Sequence, residues 1–219
     1  MKLAIVGYGK MGHMVEALAP SYGFAVSACI DATPTVRPDA DVAIEFSTPG
    51  SAVVNVEMLA NMGLPVVCGT TGWFSHLDEV RTAVERARTA LVYGANFSVG
   101  VAIFSRILEE AAHALAAERD YEAWAWEMHH SAKKDAPSGT MLALIGRMRE
   151  AGYQARIDVS SSRAGHAPGT HEIGFDSAAD TITLRHTARN REGFARGALR
   201  AAQWIAGKRG VYEFKEILG

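Results

Sequence analysis

The chain has 219 residues and a formal net charge of −2, and 48% of its residues are apolar. That is long for one small domain and short for two large ones, with enough apolar material for a real core. The charge leaves no basic surplus to hold a nucleic-acid backbone or an anionic membrane, so an anionic ligand needs a local cluster of positive charge.

Residues 2–6 (KLAIV) form a short apolar run that reads as a buried strand. Gly7-Tyr8-Gly9-Lys10-Met11-Gly12 follows, and then a helix closed by Pro20, with Met11, Val15 and Leu18 at helical spacing. Residues 24–30 form a second strand ending at Asp31, and residues 41–46 a third after a loop with two prolines. Residues 51–62 read as helix, 65–68 as strand, 77–88 as helix and 90–93 as strand. Strands alternating with helices across short loops argue a parallel sheet with helices on both faces.

The rhythm changes after Asn96. Residues 99–117 form a long helix with Ile103, Ile107 and Leu108 on one face. Residues 121–129 read as a strand with Trp124 and Trp126 on the same side. A helix over 140–151, strands over 157–162 and 181–187, a helix over 193–206 and a tail complete the chain, with a polar Gly- and His-rich stretch between the last two strands. The expected fold is α/β: a Rossmann-like parallel-sheet domain plus an α+β domain with a mixed sheet. Residues 1–97, completed by about 200–219, form the dinucleotide-binding domain, and 98–199 the substrate-binding and oligomerisation domain. Two chain crossings make a hinge between them. No apolar run is long enough to cross a membrane, and the first residues show no leader pattern, so a soluble cytoplasmic protein is expected. Cys29 and Cys68 sit in apolar runs without zinc or redox spacing and are expected as buried, reduced thiols.

Gly7, Gly9 and Gly12 make G-x-G-x-x-G between a strand and a helix, the context that a pyrophosphate cradle needs. The first glycine serves the turn, the second lets the backbone approach the pyrophosphate, and the third lets helix and strand pack. Asp31 ends the second strand roughly 20 residues on, where a carboxylate bonds a ribose hydroxyl. Gly69-Thr70-Thr71 and Gly94-Ala95-Asn96-Phe97 follow the fourth and fifth strands, at the strand ends where ligands bind in open α/β sheets.

The sharpest feature is residues 127–140, EMHHSAKKDAPSGT. Two histidines supply an acid near neutral pH, two lysines a fixed positive charge, and Pro-Ser-Gly-Thr opens a helix whose free N–H groups receive an anion. The chemistry fits a small anionic substrate; a solvated loop before a capped helix fits the composition equally well. His13, His76 and His113 fall on helix surfaces, and His171-Glu172 lacks the second histidine of a zinc-protease helix because residue 175 is Phe. No metal is expected. Arg163, His166 and Thr170 are weaker candidates for the substrate side.

The segment resembles the signature of the 4-hydroxy-tetrahydrodipicolinate reductase family, E-x-H-H-x-x-K-x-D-A-P-S-G-T, with every fixed position present. GTTG at 69–72, ANFSVGV at 95–101 and WIAGK at 204–208 match the same family. The resemblance implies NADH- or NADPH-dependent reduction of a cyclic dicarboxylate in lysine and diaminopimelate synthesis. It gives His129 the role of proton donor, Lys133 a catalytic role, and His130, Gly139 and Thr140 contact with substrate. It also implies a homotetramer. The glycine loop is one residue shorter than the family's common form, Lys10 replaces its usual arginine, and the helix between the second and third strands is absent. With Asp31 at the ribose and no basic residue after it until Arg37, NADH is expected to serve at least as well as NADPH. Another small Rossmann dehydrogenase, or a dinucleotide sensor without catalysis, is the alternative.

Overall fold

The computed structural model describes residues 1–218, which form two compact units. The first comprises Met1–Ser98 with the C-terminal stretch from Glu192, and the second Val99–Arg191. The chain returns to the first unit before its last long helix rather than near residue 200, so that whole helix belongs there.

The first unit is a six-stranded sheet in the order β10-β5-β4-β3-β1-β2, parallel throughout. Its strands are β1 (Lys2–Val6), β2 (Ala25–Ile30), β3 (Val42–Glu45), β4 (Val66–Cys68), β5 (Ala90–Tyr93) and β10 (Gly210–Glu213). β1, β3 and β4 are buried on both faces, which is why their sequences are continuous apolar runs rather than alternating ones. β2 is an edge strand with alternating exposure. That placement leaves Cys29 exposed, against expectation, while Cys68 is buried; both are free thiols. Helices α1 (Lys10–Leu18) and α6 (Glu192–Ile205) pack together, as do α2 (Pro49–Asn61) and α3 (Leu77–Arg86). No helix lies between β2 and β3. β10 sits in the stretch expected as a tail; four half-buried residues on a sheet edge leave no periodicity to read.

The second unit is a four-stranded mixed sheet in the order β7-β6-β8-β9, with β6 (Glu122–His129), β7 (Ile157–Arg163), β8 (Thr170–Asp176) and β9 (Thr181–Thr187). β6 runs parallel to β7 and antiparallel to β8. β8 fills the polar stretch that the sequence reading left without structure. Its glycine, histidines and buried polar side chains break the apolar alternation by which a strand is recognised. Helices α4 (Val99–Leu115) and α5 (Gly139–Glu150) supply the apolar layer.

Register sorts the helix-facing side of this sheet into rows. Ile157, Ala123, Phe175 and Ile182 form one row, and Val159, Ala125, Ile173 and Leu184 the next. Both are apolar. The third row, Ser161, Glu127, His171 and His186, is polar. Trp124 and Trp126 share the opposite face as expected, because side chains alternate along a strand. The face of α4 is a correction. Phe104, Leu108, Ala112 and Leu115 face the core at i, i+4, i+8 and i+11, whereas Ile103 and Ile107 are each 50% exposed. Leu108→Ala is expected to cost about 2–5 kcal/mol, and Ile107→Ala less than about 0.5 kcal/mol. Urea unfolding of the two variants checks which face is buried.

Candidate active site

The polar row ends at a cluster that the register brings together. Glu127 and His129 point to the same side of β6, where His129 ends the strand. His171 lies opposite Glu127 on β8, and Ser161 opposite it on β7. Arg163 is the neighbour of His129 on β7. Ser138 caps the N-terminus of α5 there, its hydroxyl accepting from the Met141 N–H at 3.2 Å.

Glu127 is fully buried and fully engaged. Its Oε1 accepts from the Ser138 N–H at 2.9 Å, the Ser161 hydroxyl at 2.9 Å and Arg163 Nη2 at 2.6 Å. Its Oε2 accepts a short hydrogen bond from the Ser138 hydroxyl. Burial alone would raise the pKa of this carboxyl, but those donors outweigh it and hold the value at about 2. Arg163 also donates to the Asp135 carbonyl at 2.6 Å, which ties the signature loop to β7.

His129 is buried, with Nδ1 3.8 Å from Glu127 Oε2. Burial pushes its pKa below the ordinary histidine value; Glu127 works against that shift, and Lys133 and Arg163 add to it. His171 is pushed further, to about 4, by burial first and then by the neighbouring His129. The two rings meet edge to face at 5.1 Å. Gly169 closes the other side of His129. A Cβ there would stand 3.0 Å from His129 Nε2, and the backbone has φ +153°, so glycine is required twice over.

The loop beyond β6 carries the cations. Lys133 Nζ donates to both carboxylate oxygens of Asp135, at 2.7 and 2.9 Å, and this bond holds the Asp135 carboxyl below its ordinary range. Half-buried His130 accepts at its carbonyl from the Lys133 N–H at 3.1 Å. Gly139 and Thr140 form the first turn of α5, with open space around Gly139. His129, His130, Lys133, Gly139 and Thr140 thus gather at one end of the second unit's sheet. Among the weaker candidates, His166 is exposed, whereas Arg163 and Thr170 are built into the strands beside His129.

In the first unit the glycine loop joins β1 to α1 as expected. Gly7 has φ +86°, and a Cβ on it would meet the Phe46 carbonyl at 2.2 Å. A Cβ on Gly12 would meet the Gly7 carbonyl at 2.5 Å and Ile5 at 3.3 Å, which is where helix and strand close on each other. Gly9 has nothing within 4 Å of its Cβ position, and no side chain caps α1. The helix start is therefore open to an anion, and these residues fit a dinucleotide. Asp31 Oδ1 accepts from the Tyr8 N–H at 3.1 Å, which fixes the carboxylate beside the loop. Lys10 is exposed and Met11 half-buried. Thr70 is buried, and its hydroxyl accepts from the Ser47 N–H at 2.8 Å, whereas Thr71 is exposed. Gly94 and Phe97 are buried, Gly69 and Asn96 half-buried, and Ala95 exposed.

Comparison with known proteins bears on the whole chain. The family described as dihydrodipicolinate reductase, N-terminus, matches residues 1–97, and that described as dihydrodipicolinate reductase, C-terminus, matches residues 100–218. The chain belongs to the dihydrodipicolinate reductase family. A 4-hydroxy-tetrahydrodipicolinate reductase of Christiangramia forsetii is 33% identical over 100% of this chain and 98% of that one. Another, from Methanosarcina mazei, is 35% identical over 84% of this chain and 74% of its own length. The dipicolinate-bound dihydrodipicolinate reductase from Paenisporosarcina sp. TG-14 shares the fold, with a TM-score of 0.84 at 21% identity, covering 100% and 99% of the two chains. A probable dehydrogenase from Thermotoga maritima is similar at TM-score 0.64 and 10% identity, covering 99% and 92%. The protein is an oxidoreductase, and its family uses a nicotinamide dinucleotide.

At the site the structure adds Gly169, brings in His171, expected only as a histidine without a zinc-protease partner, and draws in Arg163, a weaker candidate. The motif supplied Glu127 and His129, but only register reveals that His171 lies opposite Glu127. Glu127, His129 and His171 each offer one ligand atom, all within 4.8 Å of one another. The donor chemistry is unfavourable to a cation, since both oxygens of Glu127 already accept hydrogen bonds and Arg163 lies 2.6 Å away. The ionised Glu127 makes its own contribution to stability. Its folded pKa is depressed, so the contribution is fully present above pH 4.5 and is lost as pH falls from there through about 2. Its size is on the order of 3 kcal/mol. The stability gap between wild type and Glu127→Gln should therefore stay constant from pH 8 to 6 and narrow from pH 5 to 2; urea titrations at fixed pH measure it.

Proposed function

We propose that this chain converts 4-hydroxy-tetrahydrodipicolinate to tetrahydrodipicolinate, a step of lysine and diaminopimelate synthesis in which the ring gains a hydride and a proton and loses its 4-hydroxyl as water, as a cytoplasmic enzyme. The observation that carries the reading is the gathering, at one sheet end, of a buried imidazole, a lysine and an α-helix N-terminus. Together they supply an acid and a cradle for the carboxylates of a small ring. A non-catalytic sensor has no use for a buried acid and a cation on one loop. Another small dehydrogenase leaves the His-His-Lys-Pro-Ser-Gly-Thr segment unexplained.

Gly7, Tyr8, Gly9, Lys10, Met11 and Gly12 would hold the pyrophosphate side of the dinucleotide and Asp31 its ribose, with Gly69, Thr70, Thr71, Gly94, Ala95, Asn96 and Phe97 lining the strand ends. When bound, the cofactor supplies the hydride. His129 holds the proton that the reduced ring receives. Its burial keeps bulk water from competing for that proton. Lys133 and the N–H groups of Gly139 and Thr140 bind carboxylate, and His130 adds a contact to the same ligand. A substrate carboxylate reaching Lys133 competes with Asp135 for the ammonium. Oligomerisation falls to the second unit, whose open sheet face carries half-buried Trp124, Trp126 and Met128. A homotetramer is the expected assembly, and sedimentation measures it.

His129→Gln should lower kcat by roughly 10²- to 10⁴-fold. Lys133→Ala should likewise depress kcat/KM for the dicarboxylate, and cofactor affinity should survive in both variants. Stopped-flow turnover and cofactor titration separate these effects. Near-normal turnover of the His129 variant would remove it from catalysis, and loss of cofactor binding alone in the Lys133 variant would take this loop away from substrate.

Cofactor choice follows from Asp31. A 2′-phosphate beside its fixed carboxylate is repelled, whereas ribose hydroxyls donate to it. Lys10 offsets only part of that repulsion. NADH should have kcat/KM at least equal to that of NADPH, and Asp31→Ala should move the ratio toward NADPH. A strong wild-type preference for NADPH, or a ratio unmoved in the variant, would overturn the assignment.

A further inference from the structure

Glu127 is a buried anion that the reaction above does not use, and it lies against the proposed proton donor. Its two oxygens have different surroundings. Oε1 is pinned by Ser138, Ser161 and Arg163. Oε2 is bonded only to the Ser138 hydroxyl and faces two imidazoles, each with a nitrogen 3.8 Å away. One of these nitrogens is His129 Nδ1, which is buried and lacks any hydrogen-bond partner. The other is His171 Nε2, which lies 3.3 Å from Ser138 Oγ.

The Ser138 hydroxyl proton is committed to Glu127, so its oxygen is left to accept. It accepts from the Met141 N–H, and His171 can approach it only as an Nε2–H donor. His171 is then a neutral ring that steadies Ser138 and leaves Oε2 without a second cation. The partner left for Oε2 is His129 Nδ1. At the far end of that ring, Nε2 points to the place where Gly169 lacks a side chain.

Resting on the reading of His129 as proton donor, we propose that Glu127 is its positioning residue. The 3.8 Å between Glu127 Oε2 and His129 Nδ1 closes so that Oε2 accepts from Nδ1–H and Nε2 is the end that carries the transferable proton, and His171, through Ser138, keeps Oε2 turned to that task. A carboxylate of this kind fixes tautomer and ring orientation and favours the imidazolium, without itself taking the proton. The charged and titratable groups facing His129 are Glu127 on β6, Lys133 and Asp135 on the loop, Arg163 on β7 and His171 on β8. Among these, Glu127 and Asp135 favour the charged ring and the others oppose it. Removing the carboxylate therefore lowers the pH at which His129 loses its proton.

Two measurements on the full chain test this. The first is the long-range ¹H–¹⁵N imidazole spectrum of the wild-type protein, with His129 assigned by difference from His129→Gln. Neutral His129 is expected to carry its proton on Nδ1; an Nε2–H ring overturns the proposal, and no altered protein has to fold for this result apart from the assignment variant. The second is the pH profile of Glu127→Gln. Its kcat should fall by roughly 10²-fold or more, with KM for the cofactor held and the alkaline limb moved to lower pH. A merely structural Glu127 would reduce stability and leave that limb in place, which also overturns the proposal. Loss of the donor and loss of its positioning give different results. An active His129→Gln enzyme removes the donor itself, whereas an inactive His129→Gln enzyme combined with an Nε2–H ring or an unmoved limb removes only the role of Glu127.

Discussion

A carboxylate fully removed from water is the constraint around which the second unit is arranged. Glu127 stays ionised only because donors from two separate stretches of chain converge on it: Ser138 at the α5 N-terminus, and Ser161 and Arg163 on β7. A buried charge that loses one such partner is costly, so the register of β6 against β7 and the docking of α5 are tied to the same group. Arg163 extends the tie into the signature loop through the Asp135 carbonyl. The loop that presents Lys133 is thereby anchored to the sheet by the same arginine that neutralises the buried anion.

The rows of the sheet explain how one small unit provides both a core and a site. Two successive rows are apolar and, apart from exposed Ile182 on the edge strand, pack under α4 and α5, and the third is polar. Because α5 begins over the polar row, its capping serine serves two structures at once. It closes the first turn of the helix and completes the carboxylate's set of donors. Desolvation then acts selectively. The adjacent anion opposes the effect of burial on both rings, but on His171 burial and the neighbouring His129 prevail and drive it further toward neutrality. Two histidines a ring's width apart acquire different protonation tendencies from their surroundings, with no difference in residue type.

Much of this was legible in the residue order, for identifiable reasons. The parallel sheet announces itself because strands buried on both faces are unbroken apolar runs, and the glycine loop because Gly7 and Gly12 meet steric demands that other residues fail. The signature segment is local, so a motif captures it whole. What escaped the sequence depended on pairing across the chain. β8 was invisible because its inward row carries His171, and its outward row includes Gly174, whose missing side chain makes room for the Trp124 ring across the ladder. Ile103 and Ile107 were misassigned because hydrophobicity alone does not say which of two apolar stripes on α4 meets the core. Cys29 was read as buried because an apolar run looks alike in a central strand and in an edge strand.

The first unit shows the same economy at the other end of the chemistry. Its short glycine loop leaves the start of α1 uncapped by any side chain, so the helix N-terminus stays available to an anion. The Tyr8 amide in the same loop holds Asp31. The Tyr8 side chain is committed as well, its hydroxyl bonded to Glu16 and its ring against His13. Backbone and side chain of one residue therefore fix the Asp31 carboxylate and the wall next to it. No helix between β2 and β3 takes part, and the hydrogen bond that holds Asp31 comes from the loop between β1 and α1.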